Sequence, residues 1–155
     1  MLSIKAITGQ GPELTTAIQL FKDYALELNA DLCFQSFDAE LADPLKKYGT
    51  PKGALFIAYY NNEIAGCIAL QPLPDGSCEM KRLYVKPEFR KHKIGDALVQ
   101  RLLATAKILG YQTMKLDTLE RLQAAINLYK KHGFVITNAY YQNPLPEVVY
   151  MEKEL

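Results

Sequence analysis

The chain of 155 residues balances 18 Lys and Arg against 17 Asp and Glu, for a net charge of +1 with 49% hydrophobic residues. That balance supplies no overall field for nucleic acid, and no apolar run nears the roughly 20 residues that cross a bilayer, so neither nucleic acid nor membrane is an expected partner. The three cysteines, Cys33, Cys67 and Cys78, are odd in number and lack a Cys-x-x-Cys spacing, which argues against a disulfide framework and a zinc site. They read as reduced thiols packed as small hydrophobes, in a cytoplasmic chain that needs no metal. The start, Met1 to Thr8, is too short and too mixed for a signal peptide. A chain of this length buries roughly 68–70% of its unfolded surface, so one domain over residues 1–155 is expected, with no staple.

Leu2 to Thr8 reads as a strand ended by Gly9, Gly11 and Pro12. From Leu14, apolar residues at Ala17, Ile18, Phe21, Ala25 and Leu28 follow helical spacing. Between Asp31 and Gly53 the pattern weakens, and a short helix with a long loop is expected around Asp38 to Pro44. Loops of that length often border binding sites. Ala54 to Tyr60 and Ile64 to Leu70 are β-rich runs joined by a turn at Asn61 to Glu63, and Cys78 to Val85 is a third strand after the Pro74 to Gly76 turn. Next come a helix from Gly95 to Leu109, a strand at Thr113 to Thr118, and a helix marked by Leu122, Ala125, Ile126 and Tyr129 that ends at Gly133. Strands at Phe134 to Ile136 and Val148 to Lys153 close the chain. A strand, crossover helix and strand between Cys78 and Thr118 require a parallel pair, so the fold is a mixed-sheet α/β domain.

The segment from Leu83 to Leu98 carries the most chemistry. A β-rich run ends in the basic loop Arg90, Lys91, His92 and Lys93, which opens directly onto an amphipathic helix. Backbone N–H groups at a helix start have no intrahelical partner, and the helix dipole adds about half a positive charge there, so the junction suits a phosphate or pyrophosphate. The plain alternative for such a charge run is a solvated basic turn.

The frame Arg90-Lys91-His92-Lys93-Ile94-Gly95, followed by Asp96, Ala97 and Leu98, resembles the pyrophosphate loop of the GNAT superfamily of acyl-CoA-dependent N-acetyltransferases, usually written Arg/Gln-x-x-Gly-x-Gly/Ala. Ala125 to Phe134 is similar to the Ala-x-x-Leu-Tyr-x-x-x-Gly-Phe segment of the same superfamily, and the match spans nearly the whole chain. Lys93 stands where the family usually has glycine, and Leu122 where many members carry asparagine. Lysine adds a Cβ and a charge at a position that favours close approach and positive φ. A Rossmann or P-loop site fares worse, since neither glycine pattern is present. Cys78 to Val85, Leu116 to Thr118, Tyr140 to Pro144 and Tyr150 to Glu152 look like a branch of small bacterial-type members whose acceptors are generally unassigned.

The resemblance implies a three-layer domain with a mixed, mostly antiparallel sheet of about seven strands flanked by helices, acetyl-CoA lying in one splayed parallel pair. It implies transfer of an acetyl group to an amine acceptor by direct attack, and a homodimer is a candidate assembly. A non-catalytic acyl-CoA-binding or sensing domain is the alternative, and an interaction module with a vestigial site is a third. Leu83, Tyr84, Val85 and the loop Arg90, Lys91, His92, Lys93, Ile94, Gly95, Asp96 and Ala97 are the expected cofactor contacts, mostly through backbone.

A lysine-like amine with a pKa near 10.4 is neutral about once in a thousand molecules at pH 7, so a base contributes substantially. Glu79 is the candidate, because a carboxylate in an apolar central strand is costly unless paired or functional, and its place relative to Arg90 resembles that of the catalytic glutamate in some members. An ion pair with Lys81, Arg82 or a neighbouring strand is an equal alternative. Asp117 is a weaker candidate base, expected to cap the next helix or bind a turn amide. Tyr129 is the candidate acid by its place in the second motif. A phenol donates to a departing thiolate uphill by roughly 1.5 units, or about 2 kcal/mol, which a catalytic step tolerates. Backbone N–H groups at the end of the strand Cys78 to Val85 would stabilise the oxyanion. Phe34, Phe37 and Asp38 on one side, and Tyr140, Tyr141 and Asn143 on the other, are candidates for the acceptor pocket, each equally consistent with plain packing.

Overall fold

The computed structural model describes residues 1–32 and 35–155. Strand β1 (Leu2–Ala6) leads through Gly11 and Pro12 into α1 (Pro12–Leu28), whose Leu14, Ala17, Leu20 and Phe21 are buried at helical spacing. Two short helices, α2 (Phe37–Ala42) and α3 (Pro44–Tyr48), take the place of the expected single helix and long loop. Pro44 starts a new helix there, because its ring and missing N–H cannot continue α2. Then come β2 (Ala54–Tyr60), β3 (Glu63–Pro72), β4 (Cys78–Val85), a 3₁₀ turn at Pro87–Phe89, α4 (Ile94–Ile108), β5 (Thr113–Leu119), α5 (Gln123–Lys131), β6 (Val135–Thr137) and β7 (Val148–Glu154).

The seven strands form one sheet in the order β1-β2-β3-β4-β5-β7-β6. Every neighbouring pair is antiparallel except β4 with β5. Helices cover both faces, giving the expected three layers. Phe56, Ile68, Leu70 and Met80 pack under α4 and α5, while Leu55, Ile57, Cys67 and Ala69 pack under α1 and α3. Strands buried on both faces need no polar alternation, so β2 reads as a continuous apolar run.

Two irregularities in β4 position the site. The parallel pairing with β5 holds only at Cys78 with Met114 and Glu79 with Lys115, after which the strands part. On its other side, the register with β3 slips between Cys67 and Ala69, so that Arg82 and Leu83 together oppose Ile68, and Arg82 adopts φ 59°. This β-bulge bends the strand and increases its local twist where the gap opens.

Candidate active site

Where β4 and β5 part, a cleft of about 840 Å³ opens between them. One wall is β4 from Met80 to Val85, the other is β5 from Leu116 to Leu119 with the start of α5, and the N-terminus of α4 closes one end. Leu83, Tyr84 and Val85 therefore line the cleft, on a strand whose pairing with β5 has already ended.

The basic loop takes the shape that the start of α4 demands. Lys91 and Lys93 both have positive φ, 80° and 59°, and Lys93 is the N-cap in the left-handed region with no side-chain cap bond. The first helical bond runs from Ala97 N–H to Lys93 O at 3.1 Å. The N–H groups of Ile94, Gly95 and Asp96 thus lie ahead of the helical ladder, as an anion site requires. Lys91, Lys93, Ile94, Gly95 and Asp96 line the cleft.

Arg90 serves as a clamp on this loop. Its Nε donates to Val85 O at 2.9 Å, its guanidinium pairs with Glu27 of α1 at 2.6 Å, and it lies over the Tyr84 ring. His92 turns away from the cleft and stacks on Tyr60, with ring centroids 4.5 Å apart. Ala97 lies within the first turn of α4 and is not among the cleft-lining residues. Asp96 ties α4 to α5 through Lys131 at 2.9 Å and His132 at 2.8 Å.

Tyr129 projects from α5 into the same cleft, packed edge-on against Phe134. Burial pushes its phenol well up, and the charges of Tyr24 and Asp117 add to this, so the hydroxyl stays protonated. Leu122 occupies the N-cap of α5 without a side-chain cap bond and also lines the cleft.

The acidic residues distribute themselves differently from expectation. Asp117 caps no helix: its carboxylate accepts hydrogen bonds from the Tyr141 hydroxyl and from Asn143 Nδ2 (2.8 Å), with Lys81 at 3.8 Å. It lines the cleft with Tyr129. Glu79 is buried at 3% exposure, and it accepts from Gln71 Nε2 at 2.6 Å and from the Tyr140 hydroxyl. The ion pairs considered for it go elsewhere. Lys81 pairs with Asp117, and Arg82 forms a two-point pair with Glu40 of α2 at 2.7 and 2.8 Å. Glu79 instead lines a second chamber of about 460 Å³, which shares Gln35 and Lys81 with the cleft.

Tyr140 and Tyr141 wall that chamber, held with Tyr150 in a ring cluster. Phe37 lies under the Arg82 guanidinium, 5.3 Å from its ring centre, and Asp38 is exposed in the first turn of α2; neither lines the cleft or the chamber. Phe34 and Cys33 lie outside the described residues. Nothing local in the sequence marks Gln35, Glu40 and Lys47, yet Gln35 joins both cavities, bonding Arg82 Nη2 at 2.8 Å and Tyr141 at 3.2 Å. The only signal was a weakly patterned loop. Among the described residues, no group of three or more His, Cys, Asp or Glu could hold a metal ion.

Comparison with known proteins places this geometry. Residues 17–134 match the model of the acetyltransferase (GNAT) family. An uncharacterized N-acetyltransferase of Schizosaccharomyces pombe is 47% identical over 138 residues, covering 88% of this chain and 85% of the relative. Another, of Dictyostelium discoideum, is 32% identical over 186 residues, covering 81% and 86%. The fold matches an acetyltransferase from Streptococcus agalactiae with a TM-score of 0.81 at 22% identity, over 99% of this chain and 98% of the other. A GNAT family acetyltransferase from Elizabethkingia anophelis, solved with acetyl-CoA bound, gives a TM-score of 0.68 at 26% identity, over 99% and 98%. On the family match, the close relatives and the seven-stranded fold, the chain belongs to the GNAT family and is an acetyltransferase.

Proposed function

We propose that this acetyltransferase takes its acetyl group from acetyl-CoA and passes it to an amine by direct attack. The carrying observation is a cleft with free helix N–H groups and two lysines at one end and a protonated phenol further along it, joined through Gln35 and Lys81 to the chamber that holds the Glu79 carboxylate. The residues fit such a cosubstrate. Ile94, Gly95 and Asp96 N–H groups with the loop from Arg90 would hold its pyrophosphate, and the β4 edge from Leu83 to Val85, past its pairing with β5, would run along its pantetheine arm. Acetyl-CoA supplies an activated thioester.

The protein's own groups then manage charge and protons. Main-chain N–H groups at the β4 bulge stabilise negative charge on the carbonyl oxygen, each such donor being worth about 3–4 kcal/mol. Glu79, whose hydrogen bonds come from the neutral donors Gln71 and Tyr140, takes the amine proton, directly or through water. Asp117 is already engaged by Tyr141, Asn143 and Lys81, and holds that side of the site. Tyr129 gives a proton to the leaving sulfur. One N–C bond forms for one C–S bond broken, and the products are an N-acetyl amine and free CoA thiol.

The test is a thermal shift with CoA beside thiol release from acetyl-CoA across an amine panel. A rise in melting temperature with amine-dependent thiol release is expected. A rise without release from any amine would favour the acyl-CoA-sensing alternative, and neither signal would overturn both.

A further inference from the structure

The chamber beside the cleft carries an uneven distribution of buried charge. At its junction with the cleft, the ammonium of Lys81, 6% exposed, pairs with Asp117 at 3.8 Å, and Glu79 lines the chamber within reach of its charge. Burial disfavours the Lys81 charge, and both carboxylates oppose that effect. Toward α2 and α3 the balance reverses. Two cations, Arg82 and Lys47, flank the carboxylate of Glu40, with Lys47 Nζ 3.2 Å from Glu40 and 2.9 Å from the Gln35 carbonyl. A third pair, Lys115 with Asp75 at 2.8 Å, compensates itself. Of these groups Glu79, Lys81 and Lys47 line the chamber, while Asp117 backs Lys81 and the Arg82–Glu40 pair backs Lys47 from outside its wall; taken with these backing groups, the Glu79 side carries a carboxylate in excess and the Lys47 side an ammonium in excess.

We infer that the acceptor is a small amine that also carries an acidic group, an amino-acid-like zwitterion seated in this chamber with its amine toward Glu79 and Asp117 and its acid toward Lys47. Complementary charge at both ends selects such a molecule, because a second cation meets Lys47 with like charge, and an apolar tail leaves Lys47 only the Glu40 carboxylate that it shares with Arg82. A volume of about 460 Å³ suits a small molecule rather than a protein surface. Gln35 and Lys81, shared by both cavities, mark where the amine passes to the thioester. The transfer is balanced as before: the N–C bond forms, the C–S bond breaks, and an N-acetyl amino acid leaves with free CoA thiol. This inference rests on the acetyl-CoA reading above.

The experiment uses the full chain with acetyl-CoA and matched amines differing by one carboxylate, phenylalanine against phenethylamine and lysine against cadaverine, followed by thiol release. We expect kcat/KM to favour the carboxylated member by about tenfold, the worth of one charged contact. Lys47→Met should bring that ratio close to one while the CoA-dependent rise in melting temperature persists, and Lys47→Arg should restore it. Decarboxylated members reacting as well or better, or a ratio unmoved by Lys47→Met, would overturn the zwitterion assignment alone. No thiol release from any amine would overturn the acetyl-transfer reading along with it.

Discussion

Arg82 and Glu40 form a buried two-point ion pair across 42 residues of sequence, fastening α2 to the bulge that opens the cleft. The guanidinium lies between the Tyr24 and Phe37 rings, at 5.6 and 5.3 Å from their centres. Removing one partner of such a pair strands the other in the core and typically costs about 3–5 kcal/mol. Burial opposes ionisation of Glu40, but the hydrogen bonds and charge of Arg82 outweigh it and hold the carboxyl below its ordinary range. Its folded pKa being depressed, this stabilisation is complete above the unfolded pKa of about 4.3 and is lost as pH falls through the folded value. Glu40→Gln should lower the urea midpoint at pH 7 and flatten the acid limb of stability below about pH 4.5. An unchanged acid limb would dissociate the pair from the pH response.

Tyr129→Phe keeps the ring and its edge contact with Phe134 and removes only the hydroxyl. Loss of a general acid typically costs a factor of about 10²–10⁴, so kcat at saturating substrate should fall by about 10² or more with CoA affinity little changed. Because burial holds the phenol well above its usual pKa, the wild-type rate should show no alkaline fall from this group up to about pH 10. A kcat equal to wild type would remove the acid role.

Much of this site is legible in the sequence. The span Cys78 to Val85 matches β4 residue for residue, and the positive φ at Lys93 is the backbone shape for which glycine is usual. Those features depend on local periodicity and on a loop whose geometry is set within a few residues. The bulge at Arg82, the partner of Asp117 and the role of Gln35 were not legible. Each arises from residues far apart: Gln35 meets Tyr141 across 106 positions, and Asp117 meets Asn143 across 26. A charge in a strand announces that a partner exists without naming it, so the partner of Glu79 stays open between Lys81, Arg82 and a group on a neighbouring strand.

The two carboxylates at the junction should separate kinetically. Glu79→Gln removes the group that takes the amine proton and should lower kcat by about 10² or more with the acceptor KM little changed. Asp117→Asn keeps one oxygen to accept from Tyr141 and Asn143, which donate to the same Oδ2, and gives up the charge beside Lys81, so it should chiefly raise the acceptor KM. A kcat kept by the first variant and lost by the second would transfer the base role to Asp117.

Gly66 sits where β3 passes the far end of the bulge, paired with Val85. A Cβ built there would lie 2.3 Å from the Tyr84 carbonyl oxygen and 3.1 Å from Val85 Cα, both main-chain atoms that cannot rotate aside. Gly66→Ala must therefore push β3 and β4 apart, at a cost of about 2 kcal/mol or more. The displaced segment is the cleft wall, so the CoA-dependent rise in melting temperature should shrink along with basal stability. A variant with normal stability would mean that the strands slide without loss.

Lys93 tests whether the departure from glycine burdens the anion site or serves it. Its left-handed backbone, φ 59° and ψ 28°, costs a non-glycine residue roughly 1–2 kcal/mol, and Lys91 beside it shares the positive φ. Lys93→Gly relieves that strain but adds unfolded-chain entropy worth about 0.5–1 kcal/mol, so stability should change by less than about 1 kcal/mol. Lys93→Val, with a branched Cβ in the same conformation, should be destabilised by a further 1 kcal/mol or about that. An exposed ammonium beside a pyrophosphate is worth up to about 1 kcal/mol, so Lys93→Gly should weaken CoA binding by up to about fivefold and reduce its sensitivity to salt. Tighter binding by the glycine variant would show that the lysine's bulk, and not its charge, governs the cradle.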